Sequence, residues 1–201
     1  MNLYVESGFV LTLALRQDDP APAERLLELA RQRFLTLKIP AFSLSEPFAT
    51  IRSRGNSRNR LIEELRREIR ELGRTRHAQL AHALDQYTDR MANVLQEQAD
   101  ALDAIVLDLA RTCEILALSS DVVAAAAEYK SRLTLRLPDA IVLASVIHDL
   151  TRAPGADESL FISQNSRDFA QAAIQDELRR LNCSYLADFA NAVRLAERPS
   201  R

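Results

Sequence analysis

A chain of 201 residues with 47% hydrophobic and 27% charged side chains has the make-up of a soluble globular protein, long enough for one domain that carries an insertion. The formal net charge of −2 points to no polyanion partner through total charge alone, and no stretch approaches the ~20 apolar residues of a membrane span. The N-terminal apolar run holds Glu6 and lacks a basic leader, so it does not read as a signal peptide. With Cys113 and Cys183 in no metal-ligand spacing, reduced buried thiols and a cytoplasmic location are expected.

In chain order, Leu3, Tyr4 and Val5 form a short apolar run ending at Glu6, and an apolar helical run follows from Phe9 to Leu15. A continuous apolar strand of this kind belongs in the middle of a parallel sheet covered on both faces. Pro22 to Phe34 predicts a helix with Leu26, Leu27, Ala30 and Phe34 on one face. Leu37, Ile39, Ala41 and Phe42 read as a second strand. Ser43-x-x-Glu46 is a formal capping box for a helix through Ile51, with Pro47 in its first turn.

Residues 55 to 111 break the alternation. Gly55 to Arg60 reads as a polar connector, and Leu61, Leu65, Ile69 and Leu72 share a helical register. After a break at Gly73 to His77, an apolar stripe runs through Leu80, Leu84, Tyr87, Met91, Val94, Leu102, Ile105 and Leu109. The pattern predicts an antiparallel helical hairpin inserted into an α/β domain that spans residues 1–201. Two helices cannot bury so broad a stripe alone, so Leu84, Tyr87, Met91 and Val94 are expected to pack on the α/β body or on a second copy. A homodimer is the expectation.

The sheet pattern returns at Cys113 to Leu118. Ser119 or Ser120 caps the next helix, and Pro138-Asp139 opens a very apolar one, AIVLASVIHDL. Pro154-Gly155 reads as a loop and Leu160 to Ser163 as a fourth strand. Asn165, Ser166 and Asp168 mark a turn into a helix to about Leu181, then come an edge strand from Cys183 to Leu186 and a last helix from Asp188.

Four carboxylates, Glu6, Glu46, Asp139 and Asp168, are thus expected near helix N-termini, three of them directly after strands. Singly, each reads as an ordinary first-turn acid, contributing ~0.3–1 kcal/mol against the helix dipole. Jointly, parallel strands carry at least three of them to one sheet edge, where clustered like charges repel unless a cation joins them. Hard oxygen donors suit Mg²⁺ or Mn²⁺, ions that activate water and stabilise phosphoryl oxygens.

The segments LYVESGFVL, IPAFSLSEP, LPDAIVLASVIHD and LFISQNSRDF together resemble a PIN domain, over residues 2–54 and 113–190. The resemblance implies a Rossmann-like α/β/α sandwich with a central parallel sheet and an acidic pocket for Mg²⁺ or Mn²⁺. It further implies endoribonuclease activity on RNA, of the kind found in toxins that pair with an antitoxin protein. Glu6, Glu46 and Asp139 stand at the family's metal-binding acids. Asp168 and Asn165 hold the polar positions after the fourth strand, with Ser163 as the small hydroxyl before them. Ser7, Ser163, Asn165, Arg52 and Arg54 are the substrate-binding candidates.

The chain departs from the family where Glu6-Ser7-Gly8 replaces the usual Asp-Thr-Asn, and it adds the hairpin. A second reading is therefore a PIN-fold binding or scaffold protein weakened in catalysis. His77, His82 and His148 share no ligand spacing, and Ser7 has no histidine partner. The arginines between Arg52 and Arg76 read either as a solvated helix with pairs such as Glu63–Arg67 or as an arm that grips phosphates of single-stranded RNA.

Overall fold

The computed structural model describes residues 1–17, 19–152 and 158–198, so the loop expected at Pro154-Gly155 lies outside the described residues. Among the described residues, five strands form one sheet: β1 (Asn2–Val5), β2 (Thr36–Pro40), β3 (Glu114–Leu116), β4 (Ser159–Ile162) and β5 (Cys183–Leu186). Their order is β3-β2-β1-β4-β5, and every neighbouring pair is parallel. The helices are α1 (Ser7–Leu15), α2 (Ala21–Arg31), α3 (Ala41–Leu72), α4 (Ala78–Thr112), α5 (Ser120–Arg132), α6 (Leu137–Arg152), α7 (Ser166–Phe169), α8 (Ala172–Arg180) and α9 (Phe189–Ala196). None is long and apolar enough to cross a membrane among the described residues.

Side-chain alternation assigns the two faces. Leu3 and Val5 of β1, Leu37 and Ile39 of β2, and Leu160 and Ile162 of β4 point into one core with residues of α1, α2, α4 and α9. Tyr4, Leu116 and Phe161 point into a second core with α5, α6, α7 and α8. Edge-on aromatic pairs, Phe9–Phe189 in one core and Phe161–Phe169 in the other, add ~0.5–1.5 kcal/mol each beyond area burial. As its composition requires, α6 is buried without interruption from Asp139 to Ile147. Both thiols are free, and burial pushes each up to about 12.

Alternation also turns Lys38 of β2 into the second core, where it is 6% exposed. Its ammonium donates to Asp149 of α6 at 2.8 Å and pairs with Glu114 at 3.2 Å, and Tyr4 donates its hydroxyl to Asp149 at 2.7 Å. A lysine is tolerated in an internal strand here because it is paired on arrival.

Several expectations are corrected. β2 ends at Pro40, and Ala41 and Phe42 open α3 instead of prolonging the strand. The Ser43–Glu46 capping box is absent: the cap position is Pro40, which makes no side-chain cap bond, and Ser43 is buried inside the helix. Pro47 therefore sits in the helix interior, where it has no N–H for the Ser43 carbonyl. The connector at Gly55 to Arg60 is helical, so α3 runs unbroken for 32 residues. One glycine among arginines, serines and asparagines weakens a helix by about 1 kcal/mol without ending it. Only the break at 73–77 stands.

Phe34 is 70% exposed, because Arg33 in the left-handed region (φ 63°) ends the chain's helical path. The amides of Arg33 and Phe34 return to Ala30 and Leu29, a Schellman closure. β3 is shortened to Glu114–Leu116, and the helix expected through Leu181 divides at residues 170–171. Along α4, Ala81, Thr88, Leu102 and Leu109 are buried, Leu84 and Met91 are half-buried, and Leu80, Tyr87 and Val94 are exposed. Tyr87, at 71%, is not covered by the body of the chain.

Candidate acidic site

β1 lies between β2 and β4, so the chain passes from its carboxyl end to opposite sides of the sheet. Such a switch point opens a crevice beyond the strand ends, and Glu6 and Ser163 stand at it. Glu6 is the N-cap of α1 and only 8% exposed. One carboxylate oxygen, Oε2, accepts from the Gly8 amide at 2.9 Å and from the Ser7 hydroxyl at 2.8 Å; the Ser163 hydroxyl donates to Oε1 at 3.3 Å. Ser163 is held in turn, its Oγ accepting from the Asn165 amide at 3.0 Å and its carbonyl from the Tyr185 hydroxyl at 2.7 Å.

Gly8 makes this seat possible. A Cβ there would lie 2.6 Å from Glu6 Oε1, so any other residue at this position would push the end of the Glu6 side chain aside.

Asp139 enters from the first turn of α6 and is 8% exposed. Asn165 donates from Nδ2 to Asp139 Oδ1 at 3.2 Å and to Asp168 Oδ2 at 2.7 Å, tying the two acids together. Arg136 bridges the same pair, from Nε to Asp139 at 3.1 Å and from Nη2 to Asp168 at 3.4 Å. Its side chain is 74% exposed, so it closes the cluster from the solvent side. The sequence reading omits Arg136; its signal was the position three residues before Asp139, one turn away at a helix start.

Glu46 arrives on α3, more than one turn into the helix and half-buried. Its proximity to the others is felt electrostatically. Burial chiefly raises its carboxyl above the ordinary range, the Ser7 hydroxyl opposes this, and the charges of Glu6 and Asp139 add to it. Glu6 is raised mainly by burial, against its bonds from Gly8, Ser7 and Ser163 and with help from Asp139. Asp139 is likewise raised by burial, with Arg136 opposing and Asp168 adding. Three carboxyls in one place thus hold protons more tightly than free acids do, as clustered negative charge in a desolvated site requires.

The structure therefore brings together Glu6, Glu46, Asp139, Asp168, Ser7, Ser163 and Asn165. It does not bring in Arg52 and Arg54, which are exposed on α3; Arg54 reaches Gln17 at 3.5 Å. The donor chemistry, all hard oxygen, fits a divalent cation such as Mg²⁺ or Mn²⁺. The present spacing is not that of a formed metal site, since among the described residues no three such groups converge closely enough to share an ion. Two contacts account for this: Glu6 is folded onto its own helix amide, and Arg136 occupies the cationic role between Asp139 and Asp168.

No family model, no curated protein and no solved structure matches this chain.

Proposed function

We propose that the chain is a PIN-like α/β/α protein with a helical hairpin inserted between β2 and β3, acting as a Mg²⁺- or Mn²⁺-dependent endoribonuclease of toxin-like kind. The observation that carries this reading is the gathering of four carboxylates from four separate elements at the switch point, with one exposed arginine against them. Glu6, Glu46, Asp139 and Asp168 would hold the cation. Such an ion lowers the pKa of water and neutralises charge on phosphoryl oxygens.

The chain's own groups divide the remaining work. Ser7 and Ser163 fix the Glu6 carboxylate, and Asn165 fixes Asp139 relative to Asp168. Glu46 would also accept a proton on its carboxylate from an attacking water. Arg136, freed from Asp139 and Asp168, would face a phosphate. Incubating the purified protein with mixed RNAs, with and without Mn²⁺, tests the reading. Cleavage is expected only with metal and is lost in Asp139→Asn; cleavage that persists in chelator or in that variant overturns it.

A second reading, a PIN-fold binding or scaffold protein, is favoured by the Arg136 bridge and by the spacing of the acids. Mn²⁺ binding that requires both Glu6 and Asp139 counts against it. On either reading the exposed Leu80, Tyr87 and Val94 would be covered by a second copy, giving a homodimer. Light scattering that finds a monomer at micromolar concentration excludes that arrangement.

A further inference from the structure

A net charge of −2 conceals a local pattern on α3. Because the helix is unbroken, Arg52, Asn56, Arg60, Glu63, Arg67 and Arg70 fall at spacings of four, four, three, four and three residues, which is one face of a helix. Arg52 and Arg70 are 18 residues apart, about five turns, so they stand on one meridian roughly 27 Å apart. All six side chains are exposed.

The arginines off this stripe are engaged elsewhere. Arg58 donates to Gln98 at 2.8 Å, Arg66 to Asp89 at 2.6 Å, and Arg54 to Gln17. Among the described residues, Arg52, Arg60, Arg67 and Arg70 have no hydrogen-bond or ion-pair partner. The Glu63–Arg67 pair that would make this an ordinary solvated face is not formed, although Glu63 lies within the stripe and Glu64, Glu68 and Glu71 lie beside it. Four exposed guanidinium groups share one face of α3 without an ion-pair partner among the described residues, and such a face is open to a polyanion.

We propose that this stripe is a track for the sugar–phosphate backbone of single-stranded RNA, leading away from the acidic site that shares α3 through Glu46. The proposal rests on the RNA reading of that site. Arginine is suited to phosphate by its bidentate geometry. No apolar side chain interrupts the stripe, so it has nothing to sink into a bilayer. No aromatic residue lies on it, so the strand is held by its phosphates and not by base stacking, and binding is sequence-independent. With phosphates ~3.4 Å apart along a stacked strand, the stripe spans roughly eight nucleotides.

The test is fluorescence anisotropy with a labelled single-stranded RNA of mixed sequence, in chelator so that nothing is cleaved. Each neutralised phosphate contributes about 0.7 to the slope of log K against log salt. Four contacts give a slope near −2.8 and a loss of about 50-fold between 50 and 200 mM salt. The variant R52Q/R60Q/R67Q/R70Q is expected to lose most of that slope at an unchanged melting temperature. Unchanged affinity and slope in the quadruple variant overturn the track even if the protein cleaves RNA. Preference for anionic lipid vesicles over RNA overturns it as well. If the quadruple variant loses RNA affinity while the parent never cleaves with Mn²⁺, the track stands and the ribonuclease reading falls.

Discussion

Helix α6 carries a charged cluster at each end, and the two are built to opposite rules. Near its C-terminus, Asp149 meets Lys38, Glu114 and Tyr4 around a cation that is 6% exposed and bonded to its partners. Near its N-terminus, Asp139 meets Glu6, Glu46 and Asp168 with, among the described residues, Arg136 alone as cation, its side chain 74% exposed. In the first cluster the cation is buried with the core. In the second four acids face one cation, against two to one in the first, and the cation sits where water can take it. Compensation from inside marks a cluster that serves the fold, whereas compensation from outside leaves room for something else to bind.

The largest break in this comparison comes from removing the inner cation. Lys38→Met leaves Asp149 short of its partner, and a cost of about 3 kcal/mol is expected, toward the low end for buried pairs because Asp149 keeps some solvent contact. In a chain of this length that lowers Tm by roughly 6–12 °C in a circular dichroism melt. A fall smaller than about 2 °C would show that the lysine is not a structural counter-ion.

Removing the outer cation should do the reverse. Arg136→Gln is expected to change stability by less than about 1 kcal/mol, since exposed pairs contribute little. It vacates the place between Asp139 and Asp168, so Mn²⁺ affinity should rise about tenfold, equivalent to ~1.4 kcal/mol, in a calorimetric titration. Weaker Mn²⁺ binding would mean that Arg136 organises the acids instead of competing for them.

Next in size is the strain of the acids themselves. A carboxyl whose folded pKa is raised binds its proton more tightly folded than unfolded. Stability therefore falls as pH rises from the ordinary value of 4.5 through the raised folded value, and below that window the penalty is absent. Glu6→Gln has no such proton to release. Its Tm should exceed the parent's at pH 7, by a margin that shrinks as pH is lowered toward 4.5. An equal gain at both pH values would place its origin outside the carboxyl's titration.

The smallest effect on stability is expected from Gly8→Ala. Replacing a helical glycine contributes up to ~1 kcal/mol, and the new Cβ would displace the Glu6 carboxylate from its seat. The melting temperature should move by less than about 2 °C, with Mn²⁺ affinity rising because the Glu6 carboxylate is released from the Gly8 amide that holds it back. Unaltered Mn²⁺ affinity would show that the folded-back position of Glu6 has no bearing on the site.

Much of this was legible in the residues, for a physical reason. Short apolar runs such as Leu3–Val5, and acids placed just after them, are local signals, and a parallel sheet converts them into a shared edge. Legibility failed where a local signal was outweighed. Ser43-x-x-Glu46 satisfies the capping pattern, but the strand stops early at Pro40 and the helix begins before the box. Gly55 to Arg60 looks polar enough to be a connector, yet packing against α4 carries the helix through it, with Arg58 bonded to Gln98. Phe34 matches the apolar face of α2 and is lost to it because Arg33 turns left-handed.

By itself the sequence determined the alternation of strands and helices, the burial of α6 and the place of Glu6 directly after β1. Each of these depends on neighbours within a turn or two of chain. Glu46 and Asp168, expected directly after strands, lie inside α3 and α7. Tertiary structure alone decided that β1 lies between β2 and β4, that Lys38 pairs with a carboxylate 111 residues away, and that Arg136 faces Asp168 across 32. It also decided which arginines of α3 are engaged and which stand free. Partner choice at such separations is settled by which faces the packed sheet and helices bring together, and no window of sequence contains that information.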